Sequence, residues 1–263
     1  MLKVGFSATY GFRSIEEVIE FAEINGFSAV EINLNMPEYY PSEYTGEERL
    51  RLRRMAESKN IVLSFHGPED INLCSKQNQI VNTGIKILKE CIDFACDLGG
   101  TRFTFHIGDS VNFTMYNGSL QFEDYYRDDY IEILKLSMED ILNYGGDRIA
   151  MCVENTGYFS VSKIEAIKFL LDKGLYLTWD LGHAYLKENQ MQFMIDNKKY
   201  IRNIHVHDVI DNKDHCIIGT GKVDIPYYLS FIDIEKVLLI IEVRPGEAAV
   251  KSFSNLKKIL AVQ

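Results

Sequence analysis

Short apolar segments recur along the whole chain, and each is rich in β-branched or aromatic residues. There are eight such segments, and within each one apolar residues follow one another almost without interruption. This pattern is typical of strands that are buried on both faces of a parallel sheet. The predicted strands cover residues 3–7, 27–32, 61–66, 101–106, 148–154, 175–180, 203–207 and 237–242.

Amphipathic stretches separate these apolar segments and predict helices. The first helix follows Ser14, and Glu17 stands three residues later, where it is placed to complete a capping box. Gly26 closes this helix at a position that commonly adopts the left-handed conformation. Further helices are predicted over residues 47–58, 79–98, 124–142, 162–172, 190–197 and 249–260.

The regular alternation of strands and helices determines the predicted fold class. Eight strands with helices between them, and no linker or low-complexity stretch, predict an α/β protein with a (β/α)8 (TIM) barrel. We expect one domain over residues 1–263 rather than two. Neither a GxGxxG nor a GxxxxGK[ST] motif occurs, which argues against an open nucleotide-binding sheet.

Composition limits where the protein works and what it binds. Hydrophobic residues make up 46% of the chain and charged residues 25%, which fits a globular protein with a full core. No apolar run reaches the roughly 18 to 20 residues that span a bilayer. Residues 1–6 lead directly into a strand without a signal-peptide pattern. We therefore expect a cytoplasmic protein with no membrane partner.

The cysteines and the net charge refine this picture. The five cysteines form no CxxC pair, so we expect reduced thiols, with Cys216 beside His215 as a candidate thiolate ligand. A net charge of −10 argues against a broad nucleic-acid surface. Bound metal cations can nevertheless supply local positive charge in an acidic protein.

Histidines and acids stand where the predicted strands end, and these ends form the active-site face of a barrel. One histidine in such a place is more often a structural residue, but a repeated pattern indicates a shared site. Burying several carboxylates and imidazoles together is costly unless cations neutralise them. We therefore predict a metal centre. The residues in this pattern are His66, His106, Glu154, Asp180, His183, His205, His207 and Glu242.

Four of these residues offer the strongest ligand set. Glu154, Asp180, His205 and Glu242 come from the last four strands, and their oxygen and nitrogen donors suit Zn, Mn or Co. A structural ion pair with Arg244 is the alternative role for Glu242.

Additional histidines raise the predicted number of ions to between one and three. His66 and His106 can join Glu154 in a second site, with Glu154 as the bridge. His183 follows Asp180 by three residues, so its side chain points to a neighbouring site that His215 can share. We rank zinc first.

Seven short motifs occur in strand order through nearly the whole chain. They are Phe65-His66-Gly67-Pro68, Thr104-Phe105-His106-Ile107-Gly108, Val153-Glu154-Asn155-Thr156, Asp180-Leu181-Gly182-His183, His205-Val206-His207-Asp208, His215 through Gly219-Thr220-Gly221, and Ile240-Ile241-Glu242. The ordered set resembles the xylose isomerase-like barrel superfamily (AP endonuclease family 2), which includes endonuclease IV and sugar-phosphate isomerases and epimerases. The resemblance implies an epimerase-type metal site at Glu154, Asp180, His205 and Glu242. An endonuclease-type set would add His66, His106, His183 and His215.

The chain departs from the endonuclease pattern at two places. That pattern has Asp two residues before the last histidine, whereas this chain has Lys213 there. The adjacent Asp214 points the wrong way if the segment is extended. The loop over residues 33–40 lacks the Arg-containing sequence that penetrates DNA. Tyr39 and Tyr40 in this loop could stack on a base or wall a sugar pocket, and we favour the pocket wall.

Two chemistries compete for this site. In an isomerase or epimerase, the metal polarises the substrate, and Glu154 and Glu242 remove and return a proton through an enediolate. His183, Arg244, His207 and Tyr39 would then bind substrate. In a phosphodiesterase, two metals clamp the phosphate and activate a water, with Glu154 between them.

We predict a divalent-metal-dependent sugar or sugar-phosphate isomerase or epimerase. The alternative is an endonuclease IV-like multi-zinc phosphodiesterase that acts on abasic-site DNA, and only this alternative has nucleic acid as a partner. A barrel that binds metal without turnover is disfavoured, because a polar barrel mouth is destabilising without a function. The sequence leaves the oligomeric state open, a homo-oligomer included.

Overall fold

The computed structural model describes residues 2–261 and contains one closed barrel of eight parallel strands. Its strands are β1 (Lys3–Ala8), β2 (Ala29–Asn33), β3 (Val62–His66), β4 (Arg102–Phe105), β5 (Asn112–Met115), β6 (Gly118–Gln121), β7 (Ala150–Glu154), β8 (Tyr176–Asp180), β9 (Ile201–Val206), β10 (Asp208–Ile210), β11 (Lys213–Cys216) and β12 (Leu238–Ile241). Around the barrel the order is β1-β12-β9-β8-β7-β4-β3-β2. The eight predicted strands are these eight, so the TIM-barrel prediction is confirmed.

Helices lie between the barrel strands, as predicted. They are α1 (Ile15–Ile24), α2 (Gly46–Ser58), α3 (Asn78–Asp97), α4 (Phe122–Tyr125), α5 (Arg127–Gly145), α6 (Val161–Leu171), α7 (Leu181–Leu186), α8 (Glu188–Asp196), α9 (Ile225–Leu229) and α10 (Gly246–Ala261). Within the described residues, none of them is both long and apolar enough to cross a membrane. The predicted domain of residues 1–263 includes residues 1, 262 and 263, which lie outside the described residues.

The first helix tests the predicted caps. The Ser14 side chain accepts a hydrogen bond from the Glu17 N–H (3.3 Å), but Glu17 Oε2 accepts from the Arg13 N–H (2.8 Å) instead of closing back onto Ser14. The predicted capping box is therefore only half formed. Gly26 has a φ of 73°, so the predicted left-handed helix end is confirmed.

The barrel interior is layered from apolar to polar. At its amino-terminal end, Ala29, Leu238 and Ile240 form a small apolar cluster against which Val62 packs. The next inward positions carry polar side chains, and the candidate ligands stand above them at the carboxyl end. Because the strands are covered inside and outside, they read as continuous apolar runs.

Two antiparallel hairpins at the carboxyl end of the barrel were not predicted. One pairs β5 with β6 after barrel strand β4, and the other pairs β10 with β11 after β9. Both are short and lack a run of apolar residues, so hydrophobic periodicity does not reveal them. The second hairpin carries His215 to the barrel mouth.

Candidate metal centre

Four carboxyl-end side chains meet in a buried group, here called the inner group. It consists of Glu154, Asp180, His205 and Glu242, whose candidate ligand atoms lie within 4.8 Å of one another. His205 Nδ1 is 3.2 Å from Glu154 Oε1 and 3.1 Å from Glu242 Oε2. Only oxygen and nitrogen donors point into the group, and this donor set fits a divalent ion such as zinc.

Glu154 also belongs to a second group, with His66 and His106. Its Oε2 is 3.1 Å from His66 Nε2 and 2.9 Å from His106 Nε2, whereas its Oε1 faces His205. Each carboxylate oxygen therefore serves a different set of nitrogens, which is the arrangement of a bridging ligand. His66 Nδ1 lies 2.8 Å from the Gly67 carbonyl, a contact that directs Nε2 toward Glu154.

A third group unites His183, His207 and His215. Asp180 places His183 directly, because its Oδ1 caps α7 by accepting the His183 N–H (2.7 Å). His183 Nδ1 is 3.8 Å from Asp180 Oδ1 and 4.0 Å from Glu154 Oε1, so the ring stands between the inner group and the third group.

His207 differs from its predicted role as a substrate-binding residue. Its ring is fully buried and stacks on His215 with 4.4 Å between ring centroids. His207 Nδ1 accepts the His215 N–H (2.9 Å), so the hydrogen on Nε2 is available to Asp180, whose carboxylate oxygens lie 3.0 and 3.1 Å away. The structure thus places this ring against Asp180 and away from solvent.

Asp214 also differs from its prediction. His215 has a φ of 54°, so strand β11 is not regularly extended at this residue. Asp214 Oδ1 therefore lies 3.0 Å from His215 Nδ1, and Oδ2 lies 3.7 Å from His183 Nε2. A carboxylate thus reaches the third group although Lys213 stands at the position where the acid was expected.

The carboxylate of Asp208, at the start of β10, holds the loop that follows β11. This buried side chain accepts backbone N–H groups from Val209 (2.9 Å), Gly219 (2.9 Å), Gly221 (2.7 Å) and Val223 (3.0 Å). Buried charge is tolerated here because several donors satisfy it. The carboxylate ties the start of the β10–β11 hairpin, and thus the segment that carries His215, to the loop that follows it.

In the absence of metal, protonated histidines counter the negative charge of the carboxylates at the barrel mouth. Burial opposes ionisation of Glu154, but the positive charges of His205 and His106 outweigh it and hold the pKa of that carboxyl well below its usual range. Burial of His66 likewise opposes its charge, but the hydrogen bond and charge of Glu154 raise the pKa of His66 to about 9. Protonated histidines therefore offset part of the negative charge of these carboxylates when no metal is bound.

Arg244 and Tyr39, two predicted substrate-binding residues, have different surroundings. Arg244 Nη2 donates to Glu242 Oε1 (2.7 Å), so the ion pair considered for Glu242 exists beside its contact with His205. Tyr39 is fully buried, and its hydroxyl donates to the Thr9 carbonyl (3.3 Å). The structure thus places the Tyr39 ring in the core, away from the barrel mouth where a substrate contact was predicted.

A cavity of about 340 Å³ opens beside Glu154 and His106. Besides Glu154, three acidic residues that sequence reasoning did not identify contribute to its wall. They are Glu69, Asp70 and Asp109. The one lysine of the wall, Lys163, is buried with its Nζ 2.5 Å from Asp109 Oδ1, which offsets its charge.

Cys216 lies outside all three ligand groups of the described residues. Its Sγ faces the carbonyl oxygens of Lys213 (3.4 Å) and Asp214 (3.6 Å), so the geometry offers no support for a thiolate ligand. All five cysteines are unpaired.

Gly182 is a position where the site requires the absence of a side chain. A Cβ on Gly182 would lie 2.0 Å from His207 Cε1. We expect Gly182→Ala to displace His207 from Asp180 and to destabilise the protein by about 1–3 kcal/mol, the usual cost of overpacking a core. Thermal unfolding measures this change. Gly46→Ala is the matched control, since a Cβ there meets nothing within 4 Å, and equal melting temperatures for the two variants would contradict the expectation.

Comparison with known proteins places this geometry in a family. Residues 19–259 match the family model of the xylose isomerase-like TIM barrel. The uncharacterized protein MJ1188 of Methanocaldococcus jannaschii is 24% identical over 242 residues, covering 89% of this chain and 85% of that protein.

Solved structures of several activities share the fold. A D-tagatose 3-epimerase-like protein superposes with a TM-score of 0.78 at 22% identity, covering 99% of this chain and 98% of the other. IolI with a bound zinc atom gives 0.74 at 15% identity, with 99% and 98% covered. Endonuclease IV from Thermus thermophilus gives 0.72 at 18% identity, with 98% of both chains covered. At these identities the likeness establishes the fold alone, and the family match covers most of the sequence. The chain belongs to the xylose isomerase-like TIM barrel family.

Proposed function

We propose that the protein is a divalent-metal-dependent sugar isomerase or epimerase. The observation that carries this proposal is the pair Glu154 and Glu242, which both lie within 3.2 Å of His205 Nδ1, with the 340 Å³ cavity opening beside Glu154. The cavity lies in the size range of small-molecule sites. Two carboxylates that face one bound substrate from different directions can take a proton from one face and return it to the other.

The chain's own residues account for the proton transfer. Glu154 would remove the proton from the carbon next to the substrate carbonyl, and Glu242 would return it. Arg244 donates to Glu242 Oε1 and so orients that carboxylate. A divalent ion in the inner group would polarise adjacent substrate oxygens and so acidify this carbon.

The cavity wall supports a small sugar over a polyanion. Glu69, Asp70 and Asp109 line it, and the one lysine there is already paired. Phosphates of DNA would meet these carboxylates at close range, which is unfavourable. Hydroxyl groups of a sugar can donate hydrogen bonds to the same carboxylates. A sugar without a phosphate is therefore the better match.

The donor set supports zinc as the ion, with manganese or cobalt as alternatives. Three carboxylates and one imidazole bind all of these ions, and imidazole favours zinc over magnesium or calcium. The zinc atom in the structure of IolI supports the same choice.

Solvent exchange tests the proposal. The zinc-loaded and manganese-loaded protein is incubated in D2O with a panel of ketoses and with the corresponding ketose phosphates. We expect deuterium at the carbon next to the carbonyl of at least one free ketose, detected by NMR, together with its epimer or aldose. Absence of exchange in every ketose, with metal content verified, would overturn the proposal.

A second candidate is a phosphodiesterase that acts at abasic sites. One observation favours it, namely that His66 and His106 both face Glu154 Oε2 and so provide a second ion site. Two ions that share a bridging carboxylate can clamp a phosphate. Nicking of an abasic-site duplex by the zinc-loaded protein, without proton exchange in any sugar, would favour this candidate.

A further inference from the structure

Glu31 lies under the metal centre, and sequence reasoning did not identify it. It is the one charged residue of β2, whose other residues are Ala29, Val30, Ile32 and Asn33. It is fully buried, and its Oε1 lies 2.9 Å from His205 Nε2. The lone acid in this strand is the signal that could have pointed to it. We propose that Glu31 is a positioning residue that sets which His205 nitrogen binds the metal.

The other oxygen of Glu31 is held by a layer of polar side chains. Oε2 accepts hydrogen bonds from Asn203 Nδ2 (2.8 Å), Ser64 Oγ (3.2 Å) and Thr104 Oγ1 (3.5 Å). All three partners are buried. These three donors therefore satisfy the hydrogen-bonding capacity of Oε2. Oε1 has no well-aligned hydrogen bond and faces His205 Nε2 at ion-pair distance.

This contact favours one tautomer of His205. Glu31 Oε1 approaches Nε2 to 2.9 Å, closer than the Asn203 Nδ2 donor at 3.4 Å, and a carboxylate at that distance favours a hydrogen on Nε2. With that hydrogen on Nε2, the lone pair of the neutral ring lies on Nδ1. Nδ1 is the atom that faces Glu154 and Glu242. Glu31 thus turns the binding nitrogen toward the inner group, in the manner of a carboxylate behind a metal-bound histidine.

Glu31 also changes the charge that the buried site must neutralise. When all four are ionised, the carboxylates of Glu31, Glu154, Asp180 and Glu242 outnumber the one paired guanidinium, that of Arg244, by three charges. One divalent ion cancels only two of these. Buried charge is costly without compensation. Glu31 therefore favours occupancy of the second group, with His66 and His106, in addition to the inner group.

The variant Glu31→Gln tests the inference, because an amide cannot replace both carboxylate oxygens. The amide oxygen is required by Asn203, Ser64 and Thr104, so the amide NH2 turns toward His205 Nε2. That donor favours the tautomer with hydrogen on Nδ1, where the metal binds. We expect zinc affinity, measured by competition with a chromophoric chelator, to fall about 10- to 100-fold.

Ser64→Ala is the matched control. It removes one donor to Glu31 Oε2 and leaves the contact between Oε1 and His205 in place. We expect zinc affinity to change by no more than about 2-fold, as for a substitution that spares the ligands. Circular dichroism and thermal unfolding verify that both variants are folded. Equal zinc affinity for Glu31→Gln and wild type would overturn the inference.

A measurement on the wild-type protein does not depend on any variant. Long-range ¹H–¹⁵N NMR of the zinc-loaded protein reports which His205 nitrogen carries hydrogen. We expect hydrogen on Nε2 and metal on Nδ1, and the reverse assignment would refute the role of Glu31. The inference rests on the metal site of the proposed function but not on its sugar chemistry. A wild-type protein that binds no zinc would refute that metal site and, with it, this role, whereas a missing effect of Glu31→Gln in a zinc-binding protein would refute this role alone.

Discussion

Glu154→Gln is expected to remove the activity almost completely and to reduce the number of bound ions. Glu154 is shared by the inner group and by the group with His66 and His106, so its two oxygens serve two sets of ligands. A glutamine has one acceptor oxygen, and its NH2 group would face nitrogens or an ion. Under the proposed function we expect kcat/KM for the sugar to fall by about 10³-fold or more, since the proposed proton-transfer group and metal ligand are lost together.

Metal analysis of the same variant separates the two losses. We expect plasma mass spectrometry to count fewer zinc ions per chain in Glu154→Gln than in wild type under identical loading. Glu165→Gln is the control, since this partly exposed carboxylate pairs with Arg127 on the surface, away from the site. Full zinc content and full kcat/KM in Glu154→Gln would contradict the assignment of Glu154 as the bridge.

The metal-free protein is expected to lose stability as the pH rises from 6.5 to 9. The pKa of His66 in the folded state is raised from 6.5 to about 9, although burial opposes this, because Glu154 hydrogen-bonds to the protonated ring. The folded state therefore binds more protons than the unfolded state in this window. The stabilisation of the folded state by protonated His66 is fully present below pH 6.5 and is lost as the pH passes through about 9.

The size of this effect is large for one side chain. The difference between the folded and unfolded pKa of His66 corresponds to roughly 3 kcal/mol of unfolding free energy. Losing this contribution lowers the melting temperature by on the order of 10 °C in a protein of this length. Thermal unfolding at pH 6.5 and pH 9, with and without zinc, measures it. Bound zinc replaces the protons, so the loaded protein should change little across this range. A metal-free protein that is as stable at pH 9 as at pH 6.5 would contradict the prediction.

The sequence predicted the barrel because buried parallel strands leave a local pattern. Each strand is apolar on both faces, and each helix is amphipathic, so length and periodicity suffice to find them. The convergence of Glu154, Asp180, His205 and Glu242 follows from the same pattern, because the carboxyl ends of barrel strands lie at one face.

The remaining features depend on contacts that no local pattern contains. Asp214 reaches the third group from a strand in which His215 has a positive φ, and the sequence Lys213-Asp214-His215 does not reveal this backbone conformation. Tyr39 turns into the core instead of toward the cavity. Glu31 contacts residues that are distant in the chain, such as Asn203, which is 172 positions away.

The spacing of the ligands along the chain has a consequence for protein synthesis. Asp180 is made 62 residues before Glu242, which at roughly 5–20 residues per second leaves several seconds between them on the ribosome. During that interval the nascent chain lacks β12, and with it both the strand that closes the barrel and the fourth ligand of the inner group. An ion that needs all four residues of the inner group would therefore bind only after the barrel has closed, and under the proposed function metal content would report how much of the newly made protein has finished folding.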